Sequence, residues 1–158
     1  MTQPSVEQAT LEDLPQLTNL LVELFSHETD FRPDPSKQMR GLRLILENPA
    51  RGRIFVLRLH DRIIGMINLL FTISTAEGGF VVLLEDLVVD PAFRRQGYGT
   101  ILLEHAIQYA REKDFLRITL LTDRVTERES QEFFRRHGFV DSNMIPMRLT
   151  FSNGEKKA

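Results

Sequence analysis

Leu84-Glu85-Asp86-Leu87-Val88-Val89-Asp90-Pro91-Ala92-Phe93-Arg94-Arg95-Gln96-Gly97-Tyr98-Gly99-Thr100 is the stretch on which the fold of this chain turns. Residues 81–89 are apolar and β-branched, broken only by Glu85 and Asp86, and predict a buried strand. Asp90-Pro91 is a turn signal that stops it. Beyond the glycine-containing run, Ile101, Leu102, Leu103, Ala106, Ile107 and Ala110 recur at helical spacing. The order is strand, loop, helix.

That order has a chemical use. The first turn of a helix carries backbone N–H groups with no partner inside the helix, and the helix dipole adds positive charge at the same end. Gly97 and Gly99 let a bulky anion approach the backbone closely. Arg94 and Arg95 add two cations beside the loop. Together these features make a phosphate cradle. The plain alternative is a strand–helix connection whose glycines serve only the turn. A dinucleotide fingerprint needs Gly-x-Gly-x-x-Gly and a Walker loop needs Gly-Lys-Ser/Thr, and neither is present.

What is present is Arg-x-x-Gly-x-Gly after a strand ending in Val-Asp-Pro. This resembles the signature of the GNAT superfamily, the acetyl-CoA-dependent N-acetyltransferases. The resemblance implies that the loop holds the pyrophosphate of coenzyme A, on the backbone N–H groups of Arg95, Gln96, Gly97, Tyr98, Gly99 and Thr100, with Arg94 beside them. It also implies that the main chain of Leu87, Val88 and Val89 contacts the thioester and pantetheine arm. Apolar side chains are expected at 87–89 in any buried strand, so their identity tests this poorly.

The 158 residues are sized for one domain, able to remove about two-thirds of the unfolded surface from water. A hydrophobic fraction of 42% and a charged fraction of 27% are ordinary for a globular protein. A net charge of −2 lacks the basic excess of a nucleic-acid binder. With no cysteine there is no disulfide framework, no thiolate metal site and no cysteine nucleophile, and no metal site is expected. No apolar run approaches about 18 residues, so no membrane span is expected. The N-terminus lacks the pattern of a signal peptide, and cytoplasm is the expected compartment. Residues 1–151 are expected to form a single domain, and 152–158 a frayed polar tail.

Taken in order, residues 6–9 suggest a short strand. Thr10-Leu11-Glu12-Asp13 resembles a capping box with Asp in place of Glu. Leu14, Leu17, Leu20, Leu21, Leu24 and Phe25 mark one face of a helix. A loop with Pro33 and Pro35 leads to a second helix over 36–47, which Asn48-Pro49 ends. Residues 53–59 and 62–72 read as strands joined at His60-Asp61, with Gly65 marking a bulge or close approach. After the long helix come a strand over 116–121, a capping box at Thr126-Glu127-Arg128-Glu129 opening a helix that runs through His137, and Gly138 at its end. Residues 139–141 and 145–151 read as final strands. The sum is an α/β (α+β) fold, a mixed, mostly antiparallel sheet flanked by helices. It matches the GNAT order from end to end.

Acetyl transfer to an amine needs a neutral nucleophile, so a base or water chain must take its proton. The thioester carbonyl needs a hydrogen-bond donor, and the thiolate must be protonated or tolerated. Glu85 and Asp86 interrupt an apolar strand, where a carboxylate is expensive unless paired or functional and where desolvation raises its pKa toward a useful range. Adjacent strand residues face opposite sides, so at most one looks into a given cleft. Glu85 is the candidate base, direct or through water; an ion pair with a nearby Arg is the structural alternative. Leu-Glu-Asp before the loop, and Glu23-Leu24 followed by His27-Glu28, look most like the diamine and spermidine acetyltransferase branch. There the positions matching His27, Glu28 and Glu85 lie at the substrate, and carboxylates there attract a cationic amine. Solvated loop charges are the alternative reading.

The chain departs from the family pattern in its last helix. Family members carry an Asn near its start and a Tyr proposed to protonate the thiolate; here Glu127 and Phe134 stand at those positions. Phe134 has no proton to give, although it and Ser130 still suit the wall of the cofactor groove. His137 reads as a helix-end residue. The leading expectation is an enzyme moving acetyl from acetyl-CoA to a primary amine of a small molecule, a polyamine, amino-acid derivative or antibiotic. A peptide or protein N-terminus or lysine is an alternative acceptor, and a non-catalytic acyl-CoA-binding module is the alternative of another class. A homodimer is compatible with the resemblance.

Overall fold

The computed structural model describes residues 2–124 and 128–151. Contacts divide the chain at residue 126 into two units, each described by itself. In the first, one sheet has the order β1 (Ser5–Gln8), β2 (Gly52–Leu59), β3 (Arg62–Ser74), β4 (Gly79–Val89), β5 (Ile118–Leu120). The first three pairings are antiparallel, and β4–β5 is parallel. The helices are α1 (Leu14–Phe25), α2 (Pro35–Leu46) and α3 (Tyr98–Glu112). The mixed sheet with flanking helices is the architecture expected from the sequence, with element ends shifted by one or two residues.

Period two along β2 decides the layers. Ile54 and Val56 join Leu14, Leu17, Leu20 and Leu21 of α1, Leu42 of α2, and Met66 and Val88 in one buried core. Phe55, between them, turns to the other face and meets His105 and Tyr109 of α3, with ring centroids 4.5 and 5.1 Å away. Tyr109 continues into an aromatic cluster with Phe71 and Phe115. Gly65 supplies the close approach expected of it: a Cβ there would stand 3.0 Å from Leu102 Cδ1 of α3 and 3.2 Å from Val88 O. The β2–β3 hairpin turns without glycine because His60 adopts the left-handed conformation, φ 55°. At the start of α1, the Thr10 amide donates to Asp13 Oδ2 at 2.9 Å, which realises the Asp version of the capping box.

Of the two register shifts in the sheet, one at Leu57/Arg58 of β2 and one at Asn68/Leu69 of β3, the second bears on the site. Asn68 pairs with Asp86 and Leu69 with Leu84, leaving Glu85 as an extra, unpaired residue of β4. A bulge bends its strand and tightens its twist. Pairing with β5 covers only Val82, Leu83 and Leu84 and stops at the residue before the bulge. From Glu85 to Val89, the β5-side edge of β4 has no strand beside it among the described residues.

The second unit holds α4 (Arg128–Arg136). Gly138, φ 95°, ends it: its N–H donates to Arg135 O at 3.1 Å and the Phe139 N–H to Phe134 O at 3.1 Å, a Schellman pair. The expected capping box falls partly on residues 125–127, outside the described residues. Residues 139–141 and 145–151 are not strands. Alternation of Ile145, Met147, Leu149 and Phe151 is a strand pattern, but a strand also needs a ladder partner, and these side chains are exposed. No described helix is long and apolar enough to cross a membrane.

Candidate active site

The open edge of β4 leads straight into the glycine loop. Asp90 ends the strand: its Oδ1 accepts from the Ala92 N–H at 2.9 Å and its Oδ2 from Arg62 at 2.7 Å. Partial burial works to raise Asp90, but the Ala92 amide and the cations Arg62 and Arg94 outweigh it and hold the carboxyl below its usual range. Arg95 (φ 62°) and Gly97 (φ 83°) are both left-handed. For arginine that conformation costs on the order of 1–3 kcal/mol, and it brackets Gln96 between two turns that redirect the main chain into α3.

No side chain caps the N-terminus of α3, whose N-cap is Gly97 itself. The first intrahelical bond runs from the Ile101 N–H to Gly97 O, 3.2 Å. The amides of Tyr98, Gly99 and Thr100 therefore precede the helical ladder, and the space where Gly97 would carry a Cβ is open within 4 Å. This is an open, main-chain-lined and positively polarised end, fit for a diphosphate.

Arg94 is aimed elsewhere. Its Nε donates to Val89 O at 3.0 Å and its Nη2 lies 3.7 Å from Glu23 Oε1 at the end of α1. Glu23 also holds His27 Nε2 at 3.0 Å. The carbonyl of Val89 is thus occupied by the protein itself, and the leading arginine of the motif ties the strand end to α1. Two residues on, the Thr29 N–H and Oγ1 both donate to Asp123 Oδ2, at 2.9 and 2.7 Å.

The two carboxylates of the strand divide differently from the sequence expectation. Glu85, the bulge residue, is exposed, and the desolvated carboxylate is Asp86, 7% exposed. Asn68 Nδ2 donates to Asp86 Oδ2 at 2.9 Å, while Asn68 Oδ1 is buried without a partner. Burial pushes Asp86 up to about 6; the charge of Glu85 adds to the rise and the Asn68 bond opposes it. Alternation holds, with Leu84, Asp86 and Val88 buried and Glu85 exposed between them; what it does not give is which of the two carboxylates takes the buried face. The bulge that leaves Glu85 unpaired lies in the register against β3, which the sequence of β4 does not contain.

In this unit Val89, Arg94, Glu23 and His27 are joined at the end of β4, Thr29 and Asp123 meet beyond the end of β5, and Glu85 stands at the bulge four residues before Val89. Glu28 lies on the same loop as His27. Asn68, Thr29 and Asp123 were not reached from sequence, and Asp86 was reached only as the neighbour of the candidate base. Ser130 and Phe134 sit one turn apart on α4, where Phe134 meets Phe133 and Phe139 edge-on at 5.3 and 5.5 Å. His137 is the helix-end residue expected, its ring nitrogen 2.8 Å from Phe133 O. Among the described residues no group of three or more His, Asp or Glu could hold a metal ion.

The acetyltransferase (GNAT) family model matches residues 14–139. The chain belongs to the GNAT acetyltransferase family, a family of acyltransferase enzymes. Among curated relatives, this GNAT chain is 27% identical over 138 residues to the aminoalkylphosphonate N-acetyltransferase of Salmonella typhimurium, covering 87% of this chain and 86% of that one. It is 36% identical over 73 residues to an uncharacterised N-acetyltransferase of Methanocaldococcus jannaschii; that match spans 46% of this chain and about a third, 32%, of the archaeal protein. Among solved structures, a predicted acetyltransferase of Clostridium acetobutylicum with acetyl-CoA shares the fold at TM-score 0.74 and 17% identity, over 93% of this chain and 96% of that one.

Proposed function

We propose that this GNAT protein transfers an acetyl group from acetyl-CoA to the primary amine of a small molecule. The observation that carries the reading is the continuity of two features: a strand edge left open from Glu85 onward, and the uncapped α3 N-terminus it leads into. Acetyl-CoA, when bound, supplies an activated acetyl thioester and leaves as coenzyme A. The amides of 95–100 would hold its diphosphate, and the main chain of 87 and 88 would orient the pantetheine arm along the open edge. Glu85, exposed at the bulge, would take the proton from the acceptor's ammonium group directly or through water.

The acceptor class follows from charge. Glu23, His27 and Glu28 would put carboxylates and an imidazole at the α1 end of the site, and carboxylates draw a cationic amine. Polyamines, as in the diamine and spermidine branch, and aminoalkyl compounds, as the name of the Salmonella relative states for that protein, both carry such an amine. Phe134, without a hydroxyl, favours the second reading, a non-catalytic acyl-CoA-binding module.

Release of free coenzyme A across a panel of primary amines tests the proposal. The native protein is expected to turn over at least one polyamine or aminoalkyl compound. Glu85→Gln is expected to lower kcat about 10²–10⁴-fold at neutral pH, the loss shrinking as pH rises. Turnover of no amine supports the binding-module reading, and an unchanged kcat in Glu85→Gln removes Glu85 as the base.

A further inference from the structure

The chain between β4 and α3 has no core residue of its own. Pro91–Phe93 form a single 3-10 turn with no buried side chain, and residues 94–97 beyond it are exposed. The amides proposed for the diphosphate follow directly on this segment, and a binding site needs its donors held to within about 0.5 Å. At the strand end the Asp90 N–H still donates to Ile64 O, at 2.8 Å. Past that point a side chain from another hairpin takes over. Arg62, the first residue of β3, reaches both ends of the turn. Its Nη2 donates to Asp90 Oδ2 at 2.7 Å, and its guanidinium carbon lies 5.0 Å from the centre of the Phe93 ring. Asp90 closes the turn between them: its other carboxylate oxygen caps the Ala92 N–H, and its carbonyl accepts from the Phe93 N–H at 2.9 Å.

Arg62 is itself held on both sides. Gln16 of α1 donates through Nε2 to Asp61 O at 3.1 Å and accepts at Oε1 from the Ile63 N–H at 2.8 Å, so the two residues flanking Arg62 are pinned to a helix. The next residue of that helix, Leu17, is fully buried. A line of direct contacts therefore runs from the core through Gln16 and the hairpin backbone to Arg62, and from Arg62 to the turn that precedes Gly97. The contact with Asp90 adds little to the stability of the whole fold, since Arg62 is 57% exposed and exposed ion pairs are weak. Its effect is local. Burial works against ionisation of Asp90, and the Ala92 amide together with Arg62 and Arg94 outweighs it. The carboxylate that caps the turn and grips Arg62 thus carries its charge, and bonds between charged partners are shorter and stronger than neutral ones.

We propose that Arg62 is a positioning residue for the cofactor: by holding Asp90 and Phe93 it fixes the turn from which the amides of residues 97–100 are presented, and so sets the affinity for acetyl-CoA. It acts through those two residues and not on the diphosphate. The physical basis is preorganisation, because a segment already ordered loses less freedom on binding. An alanine at 62 leaves Asp90 capping the Ala92 N–H and releases the turn from β3. The proposal rests on the reading above in which the loop after β4 holds coenzyme A.

The test is titration calorimetry with coenzyme A on the native protein, Arg62→Ala, Arg62→Lys and Phe93→Ala, and on Asp90→Asn with and without Arg62→Ala. Arg62→Ala is expected to weaken binding about tenfold, as loss of an ion pair and a cation–π contact implies, while the melting temperature of the unliganded protein stays close to native. In turnover the change is expected in KM for acetyl-CoA rather than in kcat. Arg62→Lys keeps a cation beside Asp90 without the flat face over Phe93, and Phe93→Ala removes the ring; both are expected to fall between. Because Arg62 acts through Asp90, adding Arg62→Ala to Asp90→Asn is expected to weaken binding by much less than tenfold. Without any ligand, NMR is expected to find the Asp90 carboxyl titrating at higher pH in Arg62→Ala, since a neighbouring cation is gone. Native affinity in Arg62→Ala, or an Asp90 titration that does not move, overturns the proposal alone. So do single-variant losses that simply multiply, which would make Arg62 a separate cation on the cofactor, and a loss of affinity matched by a fall in melting temperature, which would make its role structural only. A native protein that binds no coenzyme A overturns the cofactor reading, and the role of Arg62 with it.

Discussion

An asparagine at position 86 would occupy nearly the volume of Asp86 without its charge. The native carboxyl rises from 3.8 to about 6 on folding because it is buried, with the Asn68 Nδ2 bond opposing the rise and no cation offsetting it. At about 1.36 kcal/mol per pH unit, holding it ionised costs about 3 kcal/mol at neutral pH. The sign follows from linkage: a raised carboxylate pKa means the folded state binds its proton more tightly than the unfolded chain. The cost is therefore present above pH 6, shrinks as pH falls through 6, and is gone below about 4. Asp86→Asn should be more stable than the native protein by up to about 3 kcal/mol in urea at pH 7.5 and equal to it near pH 4. No gain at pH 7.5 would mean that water or the Asn68 amide already compensates the charge. Proteins retain such residues where activity needs them, which is why a carboxylate beside the candidate base at the bulge draws attention to this position.

At the scale of elements, α3 contributes through its first turn and β4 through the half that β5 does not cover. Gly97 joins them. Its φ of 83° strains any side chain, yet nothing lies within 4 Å of where a Cβ would stand. Gly97→Ala and Gly97→Glu therefore share the backbone penalty and differ in the bulk and charge placed over the free amides. Acetyl-CoA should raise the melting temperature of the native protein and of Gly97→Ala, and fail to raise that of Gly97→Glu; a full rise in Gly97→Glu would separate α3 from the cofactor. The strand–loop–helix order at 84–100 was legible because each signal is local: β-branched residues, Asp90-Pro91, two glycines, then helical spacing. The bulge at Glu85 was not legible, since register depends on how Asn68 and Leu69 line up across the ladder. With the register unseen, the burial of Asp86 was assigned to its neighbour. The segments 139–141 and 145–151 show the converse error, in which a correct period-two pattern has no ladder.

For the whole molecule, family and fold were readable from one motif and the order of elements, while contacts between segments far apart in sequence were not. Thr29 and Asp123 each carry no signal in their own sequence neighbourhood and meet only because the fold brings the chain beyond β5 to the α1–α2 loop. We propose that residues 1–151 act as one catalytic domain, with β4 at its centre: one end of that strand offers an open main-chain edge and the other side of the following loop offers uncapped amides. A structure of the protein with coenzyme A bound measures this directly. The account predicts diphosphate oxygens within hydrogen-bond distance of the amides of Gly97, Tyr98, Gly99 and Thr100, with the pantetheine arm against the main chain of 87 and 88. A diphosphate held anywhere else, with those amides facing solvent, would contradict it.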